Sequence, residues 1–370
     1  MVRPDWLPAA VILVHRRYLV TWRASAKQRR PMGRTLAIVL AVLGLLAAGR
    51  FAHANEPEEA GLAPAEIPAA ELPESEAPAK DLLPSEVPAK ESQKPALAAK
   101  EPKPDTPAKE LFGAKKLPAA MPSRSIGFYA KGCLAGATAL PVDGKTWQVM
   151  RLSRNRNWGH PKLIASLERL AEQVPKVAGW PGILVGDLAQ PRGGPMLTGH
   201  ASHQIGLDAD IWLTPMPDRT LNPQEREDMA ATSVVAADWK DVDPAVWTPQ
   251  HGAVIKAAAK DPEVERIFVN AAIKKALCRE AGSDRGWLHK VRPYWGHYYH
   301  FHVRMRCPQD NPDCTGQPPA PEGEGCAPAD LAYWFSDAVL RAKPKPAGPP
   351  KRAMTLAELP PACRRVLLAP

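Results

Sequence analysis

The residues best suited to chemistry lie in two short segments of the chain, 199–212 and 295–304. Together the segments hold five of the ten histidines: His200, His203, His297, His300 and His302. Two aspartates, Asp208 and Asp210, follow the first pair of histidines. Imidazole nitrogens and carboxylate oxygens are common ligands of zinc. The two segments therefore indicate a metal site.

The alternation of side chains along a strand decides which of these residues can meet. Successive side chains point to opposite faces, so His300 and His302 share one face of a strand, and Asp208 and Asp210 share one face of another. If the two faces meet, His203, Asp210 and His302 come together. Two imidazoles and one carboxylate leave the fourth zinc position for water, which is typical of a catalytic site. Zinc lowers the pKa of such a water to about 7 and polarises a carbonyl.

Several other catalytic signatures are absent from the sequence. There is no H-E-x-x-H, no G-x-S-x-G and no S-x-x-K string, which argues against zincins, serine hydrolases and serine penicillin-binding enzymes. Gly144-Lys145-Thr146 resembles the end of a phosphate-binding loop, but Ala139 stands where the upstream glycine is required. Nucleotide binding is therefore not expected.

The formal net charge of +9 is concentrated outside the central part of the chain. Residues 1–54 carry a net charge of +8, residues 55–120 carry −5, residues 341–370 carry +6, and residues 121–340 are neutral. A neutral central domain gives no support to a nucleic-acid partner. The basic tail is instead suited to contact with anionic envelope polymers.

The first 54 residues have the pattern of an export signal. Met32 and Arg34 precede an apolar run at 36–48, and Ala52-His53-Ala54 forms an A-x-A cleavage site. We therefore expect Met32 to be the true start, residues 1–31 to be an over-extended gene prediction, and the mature protein to be periplasmic. The alternative is an uncleaved membrane anchor, although the run is short for a span.

The segment 55–120 is predicted to be a disordered linker. It contains twelve prolines with many Ala, Glu and Lys residues, a composition that cannot bury a core. Its expected role is reach, with binding of an envelope partner as the alternative. The folded domain is expected at 121–340, followed by a basic, Pro-rich tail at 341–370.

Hydrophobic patterns in the domain predict an α+β fold, with a small central antiparallel sheet that carries the zinc site and is flanked by helices. Alternating or buried strands are predicted at 147–152, 182–187 and 298–305. Helices are predicted at 161–174, 221–236, 248–260 and 264–278. Because strands and helices are mixed without a regular repeat, the α+β class is favoured.

Six cysteines fit an exported protein with disulfide bonds. Cys307 and Cys314 enclose a short loop and are expected to pair. The other four, Cys133, Cys278, Cys326 and Cys363, allow three pairings that the spacing does not rank. A cysteine zinc site is the alternative, but no C-x-x-C string occurs.

The two histidine segments and their surroundings resemble a known family, the penicillin-insensitive murein endopeptidases of Gram-negative bacteria. These belong with the zinc peptidases of the lysostaphin, D-Ala-D-Ala carboxypeptidase and hedgehog group. The shared H-x6-D and H-x-H pattern is matched by His203 with Asp210 and by His300 with His302. The more specific strings are M-R-L-S-R-N-R-N-W-G-H at 150–160, Q-P-R-G-G-P-M at 190–196 and the two histidine segments. The resemblance extends over residues 123–363 and leaves out the linker.

The resemblance implies a role for each histidine and three disulfides. It implies zinc ligands at His203, Asp210 and His302, with His300 as general base or transition-state hydrogen-bond donor. It implies that His200 and His297 line the site and orient water or stabilise the oxyanion. The implied cysteine pairs are Cys133–Cys363, Cys278–Cys326 and Cys307–Cys314.

Two further sites remain open on the sequence. A second metal ion would take His200, Asp238 and Asp241 as ligands, but the alternative is that the acidic stretch 238–243 is a solvated loop. Arg192 could bind a substrate carboxylate through both arms of its guanidinium. The alternative for Arg192 is a structural role in a turn.

These observations predict a periplasmic zinc endopeptidase that cleaves D-alanyl–meso-diaminopimelyl cross-links in peptidoglycan, with one or two zinc ions and no membrane span in the mature form. Insensitivity to penicillin would follow because a metal-activated water cannot be acylated by a β-lactam. The alternatives are a zinc-stabilised module that binds peptidoglycan without hydrolysis, and a D,D-carboxypeptidase that acts on monomeric stems.

Overall fold

A computed structural model describes residues 101–341 and 352–370. The predicted leader at 1–54, the predicted linker as far as residue 100, and residues 342–351 of the tail lie outside the described residues. Within the described ranges, no helix is both long enough and apolar enough to cross a membrane.

Strands and helices are intermixed along the described chain, as the α+β prediction requires. The strands are β1 (Arg124–Phe128), β2 (Lys131–Ala135), β3 (Thr138–Ala139), β4 (Trp147–Val149), β5 (Trp158–Gly159), β6 (Ile183–Val185), β7 (Asp208–Pro215), β8 (Val264–Val269), β9 (Val291–Pro293) and β10 (His300–Met305). The helices are α1 (Ala108–Gly113), α2 (Pro161–Ala178), α3 (Pro223–Asp228), α4 (Pro249–Lys260), α5 (Ala271–Glu280), α6 (Pro328–Ala332), α7 (Asp337–Leu340) and α8 (Ala362–Leu368).

Six of these strands form one sheet in the order β4-β6-β7-β10-β8-β9. The strands β6, β7, β10 and β8 pair antiparallel, while β4 joins β6 and β9 joins β8 in parallel. The α+β class is confirmed, but the sheet is larger than predicted and it is mixed. The parallel edges arise because β4 reaches β6 through helix α2 and β8 reaches β9 through helix α5.

Helix α2 shows how the sequence builds a face for the sheet to pack on. Its apolar residues recur every three or four positions and are buried: Leu163, Leu167, Leu170 and Val174. The His160 side chain accepts a hydrogen bond from the backbone of Lys162 at the helix start, and Gly179 ends the helix in a left-handed conformation. Helix α2 then packs against α4.

The helix predicted at 264–278 is wrong in its first half. Residues Val264–Val269 form strand β8, which pairs with β10, and only Ala271–Glu280 is helical. Val, Ile and Phe favour a pleated surface. Asn270 separates the two elements because its side chain accepts a hydrogen bond from the backbone of Ala272 and caps α5.

The helix predicted at 221–236 is shorter than expected. Only Pro223–Asp228 is helical, between Asn222 as cap and Met229. Beyond it, the Ser233 hydroxyl bonds with the backbone of Val235. Local side-chain hydrogen bonds of this kind compete with helix formation, and the segment continues as a loop.

Strands β7 and β10 separate the core from the polar face of the sheet. Their apolar side chains join the helices in the main core: Ala209, Ile211, Leu213, Phe301 and Val303. The residues between them, Asp208, Asp210, His300 and His302, lie on the opposite face. This alternation is the one predicted from the sequence.

The two ends of the described chain pack together in a second core, which we call the terminal cluster. Its buried members are Ala108, Phe112, Ala119, Ile126, Cys133, Ala135, Leu359, Cys363, Val366 and Leu367. Residues 108–119 were assigned to the linker and 359–367 to the tail, so the folded unit extends beyond the predicted limits of 121–340. Apolar residues spaced three or four apart outweigh the Pro-rich composition in both segments.

Three disulfide bonds stabilise this fold, and their pairs are those that the resemblance implied. Cys133–Cys363 joins β2 to α8, Cys278–Cys326 joins the end of α5 to the loop before α6, and Cys307–Cys314 closes the loop after β10. The first bond lies within the terminal cluster.

Candidate active site

The antiparallel pairing of β7 with β10 brings the two predicted segments together. In this register His302 lies directly opposite Asp210, and Arg304 lies opposite Asp208. His203 enters from the loop before β7 and is fully buried. The sequence prediction that His203, Asp210 and His302 meet is therefore consistent with the strand register.

Asp210 is the centre of a group of histidines that we call the Asp210 cluster. Its Oδ1 lies 3.1 Å from His302 Nδ1, 3.5 Å from His203 Nε2 and 3.6 Å from His300 Nε2. Its Oδ2 lies 3.3 Å from His200 Nε2. Burial raises the pKa of Asp210, but the surrounding histidines outweigh it and hold the pKa well below its usual range. Asp210 is therefore an anion inside the protein.

Several buried polar atoms of the Asp210 cluster have no hydrogen-bond partner among the described residues. These atoms are both ring nitrogens of His203, both ring nitrogens of His300, His302 Nε2 and Asp210 Oδ1. Buried polar groups are nearly always hydrogen-bonded, so such exceptions need an explanation. Imidazole nitrogens and a carboxylate oxygen fit a zinc ion in ligand type. One ligand atom each from His200, His203 and Asp210 lie within 4.8 Å of one another.

The remaining nitrogen of His302 faces a second carboxylate. Its Nε2 lies 3.0 Å from Asp208 Oδ1, while Nδ1 faces Asp210. Burial lowers the pKa of His302, but the two aspartates outweigh it and the pKa is raised overall. Asp208 also accepts hydrogen bonds from Arg304 Nε at 2.8 Å and from the backbone of His203 at 3.0 Å.

His200 lies between two carboxylates at the edge of the cluster. Its Nε2 is 3.3 Å from Asp187 Oδ2 and 3.3 Å from Asp210 Oδ2. Asp187 is held in turn by Arg156 at 2.6 Å and Arg154 at 3.1 Å. Burial raises the pKa of Asp187, but His200 and the two arginines lower it overall. A nitrogen between two carboxylates is suited to donate a proton to them.

His297 and His300 complete the buried histidine group. Their ring centroids are 4.8 Å apart, and His297 Nδ1 lies 2.6 Å from the Trp295 carbonyl oxygen. Burial lowers the pKa of His300 to about 4 and holds that of His297 well below its usual range. Burial therefore keeps both rings neutral at pH 7.

Left-handed backbone at two of these histidines fixes where their rings lie. His203 has φ +66° and His297 has φ +52°. Residues other than glycine rarely adopt this region, and when they do the strain often marks a functional site. Gly206 is also left-handed, and a Cβ there would meet Leu134 at 2.4 Å, so a side chain at this position of the loop before β7 would require a shift.

The second metal site predicted at His200, Asp238 and Asp241 is not supported by contacts, because no contact among the described residues joins Asp238 or Asp241 to the Asp210 cluster. Asp241 forms ion pairs with Lys275 and Arg279, and the Asp238 carboxylate accepts a hydrogen bond from the backbone of Lys240. These contacts favour the solvated-loop alternative over a second metal ion.

The hydrogen-bond partners of Arg192 are backbone carbonyl groups of the domain itself. Its side chain is buried, and its guanidinium donates to four backbone carbonyl groups, those of Leu117, Val366, Leu367 and Ala369. Three of the four are in or directly after helix α8. This arrangement ties the last helix to the domain and favours the structural alternative over carboxylate binding.

Sequence reasoning missed the contributions of Asp187, Arg154 and Arg156, and gave Asp208 no role. Asp187 lies two residues after the end of the buried strand β6. Asp208 was recognised as sharing a face with Asp210. The signal that it serves the site is Arg304, which the strand register places opposite it.

Comparison with known proteins identifies the family to which the chain is similar. The model of the family described as penicillin-insensitive murein endopeptidase matches residues 125–368. Proteins of that name from Haemophilus influenzae, Yersinia enterocolitica and Klebsiella pneumoniae are 48%, 46% and 45% identical over 245, 250 and 245 residues. The alignments cover 66%, 68% and 66% of this chain and 82%, 87% and 86% of the relatives. The matched range contains both histidine segments and all three disulfides.

Proposed function

The chain belongs to the penicillin-insensitive murein endopeptidase family, and on that premise we propose that it is a periplasmic, zinc-dependent endopeptidase that hydrolyses D-alanyl–meso-diaminopimelyl cross-links in peptidoglycan. The observation that carries the proposal is the Asp210 cluster, in which a buried carboxylate meets four histidines. The proposed periplasmic location rests on the export signal predicted at 32–54.

We assign the zinc ligands to His203, Asp210 and His302. His302 presents Nδ1 toward Asp210 while its Nε2 faces Asp208. A ligand histidine that directs its other nitrogen to a carboxylate is a frequent arrangement in metal sites. His200 is the weaker candidate, because its Nε2 lies between Asp187 and Asp210. One zinc ion is proposed, since Asp241 is already paired with two cations.

A zinc ion at this position would supply Lewis acidity, which activates water and polarises the scissile carbonyl. The chain's own residues provide the rest of the chemistry. His300 is neutral at pH 7, so its imidazole can accept a proton from the attacking water and later give it to the leaving amine. His297, next to His300, is placed to hydrogen-bond the developing oxyanion. His200 would orient water through its contact with Asp210.

The test uses the full chain and cross-linked muropeptide dimers, with and without a chelator. We expect dimers to be converted to monomers, chelator to stop the reaction, and added zinc to restore it. Dimers that stay intact with zinc-loaded protein contradict the proposal. In that case, retention of the dimers on the protein would indicate a binding module, and release of D-alanine from monomeric stems would indicate a carboxypeptidase.

The ligand assignment has its own test. Zinc content of His302→Ala and His200→Ala is measured on folded, purified protein. We expect His302→Ala to lose the metal and His200→Ala to keep about one zinc per chain while its kcat falls. The opposite result would assign the third ligand to His200.

A further inference from the structure

We propose that Asp208 is the positioning residue of the metal site, because it fixes the ring of one ligand histidine and the backbone of another at the same time. The inference rests on the proposed function, since it concerns the ligands His203 and His302. It adds a residue that does not touch the metal position and acts through both of these histidines.

The first contact is with the ring of His302. Asp208 Oδ1 lies 3.0 Å from His302 Nε2, and Asp210 Oδ1 lies 3.1 Å from His302 Nδ1. Carboxylates two residues apart on β7 therefore lie within 3.1 Å of the two ring nitrogens. The contact with Asp208 is an ion-pair approach, since Nε2 makes no hydrogen bond of good geometry among the described residues. A ring proton on Nε2 would face Asp208 and would leave Nδ1 for the metal.

The second contact is with the backbone of His203. The His203 N–H donates to Asp208 Oδ2 at 3.0 Å, although His203 has φ +66°. A residue other than glycine needs compensation to remain in this conformation. The Asp208 carboxylate provides it, because its second oxygen holds the strained peptide while its first holds the ring of His302.

Asp208 is itself held rigidly. Its side chain is fully buried, and Arg304 donates to both of its oxygens, from Nε at 2.8 Å and from Nη2 at 3.2 Å. The guanidinium lies 4.1 Å over the ring of Tyr129, and its Nη1 donates to Gln317. Because Arg304 is fixed by these contacts, it cannot follow a misplaced carboxylate. The pair therefore sets the position of both ligands.

The test is the zinc affinity of Asp208→Asn in the full chain, measured by competition with a chelator at a temperature well below the unfolding transition. The substitution keeps the size of the side chain but removes its charge. We expect the zinc Kd to rise by about 10- to 100-fold, and kcat of the zinc-loaded variant to fall with little change in KM. The matched control is Asp261→Asn, which removes a carboxylate that pairs with Arg169 and Ser166 elsewhere.

Each outcome bears on one conclusion. A zinc Kd equal to that of the wild type and of Asp261→Asn overturns the role of Asp208. If Asp208→Asn does not fold, Arg304→Lys decides: a raised zinc Kd supports the inference, and an unchanged Kd overturns it. Wild-type protein that binds zinc but leaves cross-linked dimers intact contradicts the proposed function and leaves the affinity comparison valid.

Discussion

Two regions of the protein bury polar side chains and satisfy them to different degrees. Beside the terminal cluster, the buried Arg192 donates to four carbonyl groups. In the Asp210 cluster, both nitrogens of His203, both nitrogens of His300, His302 Nε2 and one oxygen of Asp210 have no hydrogen-bond partner among the described residues. An unsatisfied buried polar group costs about 1–3 kcal/mol. A buried polar group that the chain satisfies contributes to stability, whereas the unsatisfied groups of the Asp210 cluster are the ones that the proposed metal would satisfy.

The largest expected effect comes from removing the charge at the centre of the Asp210 cluster. Asp210→Asn should lower kcat/KM on muropeptide dimers by at least about 10³-fold, or about 4 kcal/mol, because zinc is lost. The free energy of unfolding of the metal-free protein should not fall. Asp241→Asn is the matched control and should retain both zinc and activity. Loss of zinc from Asp241→Asn would instead support the hypothesis of a second metal ion.

Removing the buried charge of the terminal cluster should have the opposite profile. Arg192→Met leaves four carbonyl groups without their donor and should reduce the free energy of unfolding in urea by about 3–4 kcal/mol. The kcat and KM of the folded protein should be unchanged. Arg352→Met, which breaks an exposed pair with Glu358, should cost at most about 1 kcal/mol. A raised KM for Arg192→Met would instead support carboxylate binding.

The disulfide of the terminal cluster should contribute slightly less to the free energy of unfolding than Arg192 does. A double variant with Cys133→Ser and Cys363→Ser should lower the free energy of unfolding by about 3 kcal/mol, because the unfolded chain loses a constraint that spans 230 residues. Zinc Kd should stay at the wild-type value. A loss of zinc affinity together with stability would show that the two regions are coupled rather than separate.

The smallest effect concerns the pH dependence of stability. Burial lowers the pKa of His300 from 6.5 to about 4, so the unfolded chain binds this proton more readily than the folded chain. The stabilising contribution is complete above pH 6.5 and is lost as the pH falls toward 4. Between about pH 7 and about pH 4.5 the metal-free wild type should lose about 2 kcal/mol through His300. Urea unfolding of His300→Gln should show a smaller loss, and an equal loss would contradict the assignment.

Alternation along strands was enough to predict which of these side chains lie together. The spacing of His300 with His302 and of Asp208 with Asp210 predicts that the four share one face, as the strand register shows, because a strand has only two faces. The helix at 161–174 followed equally from its apolar period. Both predictions depend on neighbours close in sequence, where local geometry leaves little freedom.

Contacts between distant segments could not be predicted in this way. Asp187 meets His200 only because β6 lies beside β7, and no local pattern fixes that order. The sequence predicts a helix over strand β8 because the apolar run of β8 joins that of α5 without a break in hydrophobicity. The terminal cluster was missed because the composition of 101–120 and 352–370 concealed the few apolar residues that pack.

The terminal cluster also has a consequence for the timing of folding. Strand β2 receives its disulfide partner, and Arg192 its acceptors, from the last helix of the chain. The second core therefore cannot close until α8 has been synthesised, and contacts of such high sequence separation form slowly. A chain cut before α8 would lack both the disulfide partner of β2 and the acceptors of Arg192. The first strands of the domain thus wait for its last helix before this core is complete.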